Sequence, residues 1–198
     1  MSLLAQLKQR DDKATIFTLA EIQSLLGFQD PKALYNATSY AVKTGQLFKI
    51  TEGIFAITKD YSREEFANKY RRPSYISLYT VLSEAGVIFQ PYDAIYVIAQ
   101  RTEQKEIDGQ TYIYRKLKDE ALLNPTGLFV DENKNIVKAT PERAICDKIY
   151  LDGLEYFDNL RSLDWDLMKE INTVVFDDNK QISKFIKLNN EGTANTKA

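Results

Sequence analysis

The chain contains no histidine and a single cysteine in 198 residues. These scarcities exclude a zinc centre built from Cys and His, a Ser-His-Asp or Cys-His triad, a disulfide and a paired-thiol redox centre. Its eight glycines form neither a phosphate loop nor a dinucleotide fingerprint. No run approaches the roughly 20 apolar residues that span a bilayer, and the first ten residues lack an apolar core of signal-peptide length. A cytoplasmic protein is therefore expected. The lone Cys146 suits a reducing compartment, where its simplest role beside Ala144 and Ile145 is that of a small buried hydrophobe.

What is present is an ordinary globular composition, 44% hydrophobic and 27% charged, so the chain can bury a core. With domains commonly of about 100 to 150 residues, the length suits two modules. The net charge of −2 is unevenly spread: residues 1–118 carry 16 Lys and Arg against 13 Asp and Glu, and residues 119–198 carry 10 against 15. A mildly basic front and an acidic back suggest different partners for the two parts.

The first sixty residues are strongly punctuated. Leu3, Leu4 and Leu7 have helical spacing, and Ile16-Phe17 reads as a short extended segment. Thr18-Leu-Ala-Glu21 has capping-box spacing and opens a helix that stops at Gly27. Asp30 as N-cap with Pro31 in the first turn opens the next helix, which runs to Thr44. Leu47 to Ile50 and Ile54 to Ile57 then flank Thr51-Glu52-Gly53 as a hairpin. This order predicts a winged helix-turn-helix over residues 1–60.

Residues 61–73 are polar and read as a connecting segment, with Ser62 and Glu65 at capping-box spacing for a short helix. Residues 74–188 read as a mixed α/β domain. It has a helix over 74–85, a strand over 94–99, a hairpin around Asp108-Gly109 and a strand pair at 128–130 and 135–138. Helices are expected near 140–151, 164–172 and 179–188, and residues 189–198 read as a flexible tail. The predicted class is α+β, a winged helix-turn-helix followed by a mixed α/β C-terminal domain.

Helical-wheel arithmetic at about 100° per residue divides residues 31–44 into two faces. Leu34, Ala37, Thr38, Ala41 and Val42 fall on one side and are expected to be buried. The opposite arc holds Lys32, Asn36, Ser39 and Lys43, flanked by Tyr35 and Tyr40. Asn can bond bidentately to adenine in the major groove, Lys and Ser reach base edges or phosphates, and Tyr donates to phosphate oxygen. The bland alternative is a solvated face on a module that never touches DNA. Residues 1–60 carry only 7 basic against 6 acidic side chains, so one isolated module has little charge for DNA. A second copy would supply affinity, as would phosphate contacts from Lys49 on the wing and from Lys69, Arg71 and Arg72. The stretch 112–118, with Arg115 and Lys116 interleaved among aromatics, is a further candidate. A half-buried strand with a solvated edge explains that stretch better.

The chain resembles the AbiEi family of antitoxins, transcriptional regulators of abortive-infection (type IV) toxin–antitoxin systems in phage defence. The resemblance lies in Phe17-Thr-Leu-Ala-Glu21, Ala41-Val-Lys-Thr-Gly45 and the wing from Leu47 to Ala56. It continues in the segment from Tyr75 to Gly86, which contains Ile-Ser-Leu, and in Thr140-Pro-Glu-Arg-Ala-Ile-Cys-Asp147. It implies a non-enzymatic repressor that binds double-stranded DNA at its own promoter and uses no cofactor or metal. It also implies a second domain that opposes a partner nucleotidyltransferase toxin. Direct contact with that toxin does not follow from these residues. In the last segment, Arg143 and Asp147 have the i, i+4 spacing of a structural ion pair.

Two other classes remain open at this level. One is an adaptor whose winged helix binds protein. The other is a metal-dependent nuclease assembled from Asp93, Glu132 and Lys134, although Asp131 to Asn135 has the composition of an exposed turn. Asp164-Trp-Asp166 imitates the paired aspartates of nucleotidyltransferases. It lacks the upstream Gly-Ser loop and reads instead as a helix N-cap followed by a packing Trp165.

Overall fold

A computed structural model describes residues 1–194 as a mixed α+β protein with two sheets. The chain divides into two compact units, Met1–Tyr70 with Asp131–Ile136, and Arg71–Val130 with Val137–Ala198.

The first unit opens with α1 (Leu3–Arg10), β1 (Ile16–Thr18), α2 (Leu19–Leu26) and α3 (Pro31–Lys43). It continues with β2 (Phe48–Thr51), β3 (Ile54–Ala56) and α4 (Arg63–Tyr70). The expected caps are made. Thr18 Oγ accepts from the Glu21 N–H at 3.2 Å, Glu21 Oε2 accepts from the Thr18 N–H at 2.7 Å, and Asp30 caps α3 through the Lys32 N–H at 2.9 Å. The three strands form an antiparallel sheet in the order β1-β3-β2, with Phe17 opposite Phe55. Gly53 turns the β2–β3 hairpin at a φ of 71°, where a side chain would be strained, and its carbonyl accepts from the Leu19 N–H at 2.7 Å. The core joins Leu7 of α1, Phe17 of β1, Ile22 of α2, Leu34 and Ala41 of α3, and Leu47 and Phe55.

The segment expected to be a connector is divided. Residues 61–70 belong to the first unit, and α4 contributes buried Glu65, Phe66, Ala67 and Lys69 to it. Its polar sequence conceals this role because the buried positions are filled by a satisfied ion pair as well as by apolar groups. Lys69 Nζ lies 2.9 Å from Glu65 Oε1 and donates to the Ile16 carbonyl at 2.6 Å. Glu65 also accepts from the Thr15 N–H at 2.8 Å and from Asn135 Nδ2 at 3.0 Å.

The second unit carries a six-stranded sheet in the order β6-β7-β5-β4-β9-β8. Its strands are β4 (Ser74–Ile76), β5 (Ile95–Ala99), β6 (Glu103–Ile107), β7 (Gln110–Lys116), β8 (Leu128–Asp131) and β9 (Ile136–Ala139). Its helices are α5 (Leu78–Glu84), α6 (Asp119–Leu122), α7 (Pro141–Asp152), α8 (Trp165–Phe176) and α9 (Lys180–Ala194). The helix expected over 74–85 begins instead with strand β4, which pairs antiparallel with β5 and parallel with β9. The tail expected over 189–198 continues α9 to Ala194, and residues 195–198 lie outside the described residues. Asp164 caps α8 through the N–H groups of Asp166 and Leu167, as its sequence position suggests. Among the described residues, no helix is long and apolar enough to cross a membrane.

Candidate functional site

The outward face of α3 consists of the residues that the wheel placed there. Leu34, Thr38 and Ala41 are buried, and Ala37 and Val42 are half-buried. Thr38 fits inside because its hydroxyl donates to the Leu34 carbonyl at 2.9 Å, so no polar group is stranded. Lys32, Tyr35, Asn36, Ser39, Tyr40 and Lys43 are all exposed. The two tyrosines keep 68% and 65% of their surface open, a large aromatic exposure for residues that a monomer would gain by burying. Ala33, omitted from the sequence reading, is also exposed and sits on the same edge of the helix as Tyr40. Its wheel position about 100° from Leu34 was the available signal.

The β2–β3 hairpin borders this face. A groove of about 220 Å³ runs between them, with Tyr35, Ser39 and Val42 on the helix side and Lys49, Glu52 and Phe55 on the hairpin side. Lys49 reaches Glu52 at 2.6 Å, so the hairpin tip is locally neutral. This pair is solvent-exposed and adds little to stability, which leaves Lys49 able to exchange Glu52 for another anion.

The additional basic residues proposed from sequence fare differently. Lys69 is not a surface cation: its side chain is 2% exposed and serves Glu65, Glu21 and the Ile16 carbonyl. It is withdrawn as a phosphate contact. Arg71 and Arg115 are held in bidentate carboxylate pairs, Arg71 with Glu103 and Arg115 with Asp152. The hydrogen bond from Arg71 holds the Glu103 carboxyl below its ordinary range, and that from Arg115 does the same to Asp152. A phosphate would have to displace these partners, so neither arginine is an open anion site. Arg72 and Lys116 are exposed. Tyr112 and Tyr114 point into the core at 0% exposure, which removes the aromatic half of the 112–118 stretch from any stacking role.

In the second unit, the Arg143–Asp147 pair forms as the spacing implied, at 3.0 Å and with both side chains fully buried. Tyr75 and Ser77 complete it, donating to Asp147 at 3.0 and 2.7 Å, while Arg143 also reaches the Thr126 and Ala121 carbonyls at 2.8 and 2.7 Å. Complete burial pushes the Asp147 carboxyl above the usual carboxylate range, against the pull of Arg143. Gly127 closes over this network. A Cβ there would lie 2.9 Å from Arg143 Cβ and 2.8 Å from Ile171 Cδ1. With no exposed surface, Arg143 acts within the fold and offers nothing directly to a partner.

A second cluster escaped the sequence reading. Tyr79 stacks on Tyr92 at 4.3 Å, Lys148 lies 5.1 Å from the Tyr79 ring centroid, and Lys148 pairs with Asp152 and Glu155. The i, i+4 spacing of Lys148 and Asp152 was its only sequence signal. With Arg115, which also holds Asp152, its two cations match its two carboxylates.

Burial pushes the Cys146 thiol well above its ordinary value, as expected for a packing residue. Among the described residues, no three His, Cys, Asp or Glu side chains converge to hold a metal ion. Of the residues considered for a nuclease, Lys134 pairs with Glu64 at 3.2 Å, beside a turn that Asp131 caps through the Asn133 and Lys134 N–H groups. No family model matches the chain, and no curated protein matches it.

Proposed function

We propose that the protein is a DNA-binding transcriptional repressor, using residues 1–60 as a winged helix-turn-helix to occupy operator DNA in its own promoter. The observation that carries this reading is the exposed face of α3. Lys32, Asn36, Ser39 and Lys43 line it between two open tyrosines, while the other face supplies the core. Those side chains combine donors for phosphate with an amide suited to a base edge. The β2–β3 hairpin stands beside the helix as a wing, and Lys49 is its cation. The antitoxin role, in which the second unit opposes a nucleotidyltransferase toxin, belongs to the same proposal and rests on the AbiEi resemblance.

Charge bears on how such a module would act. The first unit carries 10 Lys and Arg against 10 Asp and Glu, and its Lys69 is buried. Binding driven by counterion release needs several phosphate contacts, so a single neutral module binds weakly. Two copies on paired half-sites supply the missing contacts, and this is the mode of repression we assign.

Fluorescence anisotropy with a duplex from the chain's own upstream promoter tests the reading. Combining Lys32→Glu with Asn36→Ala should weaken binding on the order of 100-fold, since it removes one phosphate contact, adds a repulsive charge and deletes a base contact. Both positions are exposed, so the circular dichroism spectrum should not change. Undiminished affinity in a folded double variant would contradict the reading and favour a protein-binding role for the module.

A further inference from the structure

Resting on that reading, we infer that α3 selects adenine and thymine over guanine and cytosine, with Asn36 as the residue that determines the choice. No arginine occurs between Arg10 and Arg63, so neither α2, α3 nor the hairpin carries a guanidinium. Arginine is the commonest reader of guanine, because its fork matches the O6 and N7 acceptors, and it is also the side chain that enters narrow minor grooves. α2, α3 and the hairpin lack both devices.

What remains on α3 favours the other base pair. The Asn36 side chain is exposed and makes no hydrogen bond among the described residues. Its amide presents a donor and an acceptor side by side, the complement of adenine N7 and N6–H₂. It lies in the second turn of α3, in the N-terminal half of the helix that meets base edges in helix-turn-helix docking. Lys32, one turn earlier, has its own N–H taken by Asp30, and its exposed ammonium is the group that can reach a phosphate. Lys43, in the last turn, lies about 10 Å along the axis from Asn36 at 1.5 Å per residue, away from the bases that Asn36 faces. The Ala33 methyl group stands exposed on the flank of the same face, where it can meet a thymine methyl. Ser39 bonds to either base pair and does not discriminate. With Lys32 and Lys43 assigned to phosphate, Asn36 is the side chain on the face that reads a single base in two places.

The experiment selects bound sites from a pool of random-sequence duplexes using the full chain. Each adenine of the enriched half-site is then replaced by 7-deazaadenine, which lacks N7 but pairs normally. The expected half-site contains adenine, and one replacement lowers the affinity of the unaltered protein about tenfold. That replacement has no effect on Asn36→Ala, which tolerates any base at the position and keeps its salt dependence. Half-sites specified by guanine overturn the inference, as does a 7-deazaadenine penalty that is absent or equal in Asn36→Ala. Salt-dependent binding accompanied by any of these results leaves the DNA-binding reading standing. Absence of salt-dependent binding to the pool defeats both.

Discussion

Asp147→Ala should lower the stability of the second unit by about 3–5 kcal/mol, because it leaves the Arg143 guanidinium buried without its counter-charge. Arg143 has no exposed surface, so the freed charge cannot turn to water without opening the helix on which it sits. The substitution also strips Tyr75 and Ser77 of the acceptor that their hydroxyls share. Asp147→Asn keeps one acceptor oxygen and should lose less. Replacing both partners, Arg143→Met with Asp147→Leu, should cost less than the sum of the single changes, since apolar substitution removes both desolvation penalties at once. Urea unfolding followed by circular dichroism compares these variants, the two single apolar changes included, with the unaltered protein. A loss below about 1 kcal/mol in Asp147→Ala would show that the network contributes no more than a surface pair.

The second large effect is expected in the first unit. Glu65→Ala removes the acceptor for the Thr15 N–H and hydroxyl and for Asn135, and it takes from Lys69 its nearest carboxylate. A loss of about 3–5 kcal/mol is again expected, from orphaned buried donors together with a buried cation left with only Glu21 and the Ile16 carbonyl. Lys69→Met separates structure from function. It leaves Glu65 buried and should destabilise the unit, yet at a temperature where the variant remains folded the salt dependence of DNA binding should be unchanged. A reduced slope would mean that Lys69 reaches phosphate and that its burial is relieved on DNA.

The contrast between α3 and α4 shows what could be read in the amino acids. In α3 the apolar residues recur at helical spacing and the polar ones fill the other arc, so burial follows from periodicity. In α4 the buried positions include Glu65, Asn68 and Lys69, and periodicity assigns such residues to solvent. Their partners Thr15, Ile16 and Asn135 lie 50 or more residues away, beyond any local pattern. The same reason separates the halves of the Arg143 network. Its i, i+4 pair was legible, whereas Tyr75 and Ser77 come from a strand and the N-cap of the helix after it, about seventy residues earlier. That strand, β4, was absorbed into the following helix because Ser74 to Ile76 is too short to show alternation before α5 begins. Among the candidate contacts, position on the wheel separated the exposed face of α3 correctly. Net charge alone did not reveal that Arg71 and Arg115 were already paired.

The most direct test of the central proposal is the slope of log K against log salt for binding to the chain's own promoter duplex. The three exposed lysines of α3 and the hairpin, Lys32, Lys43 and Lys49, on two half-sites give an expected slope of roughly −5, at about 0.9 per neutralised phosphate. Lys43→Ala should make it shallower by roughly 2, one contact in each copy. An affinity that does not change with salt, or a slope that the loss of Lys43 leaves untouched, would contradict the assignment of α3 as the DNA-contacting helix.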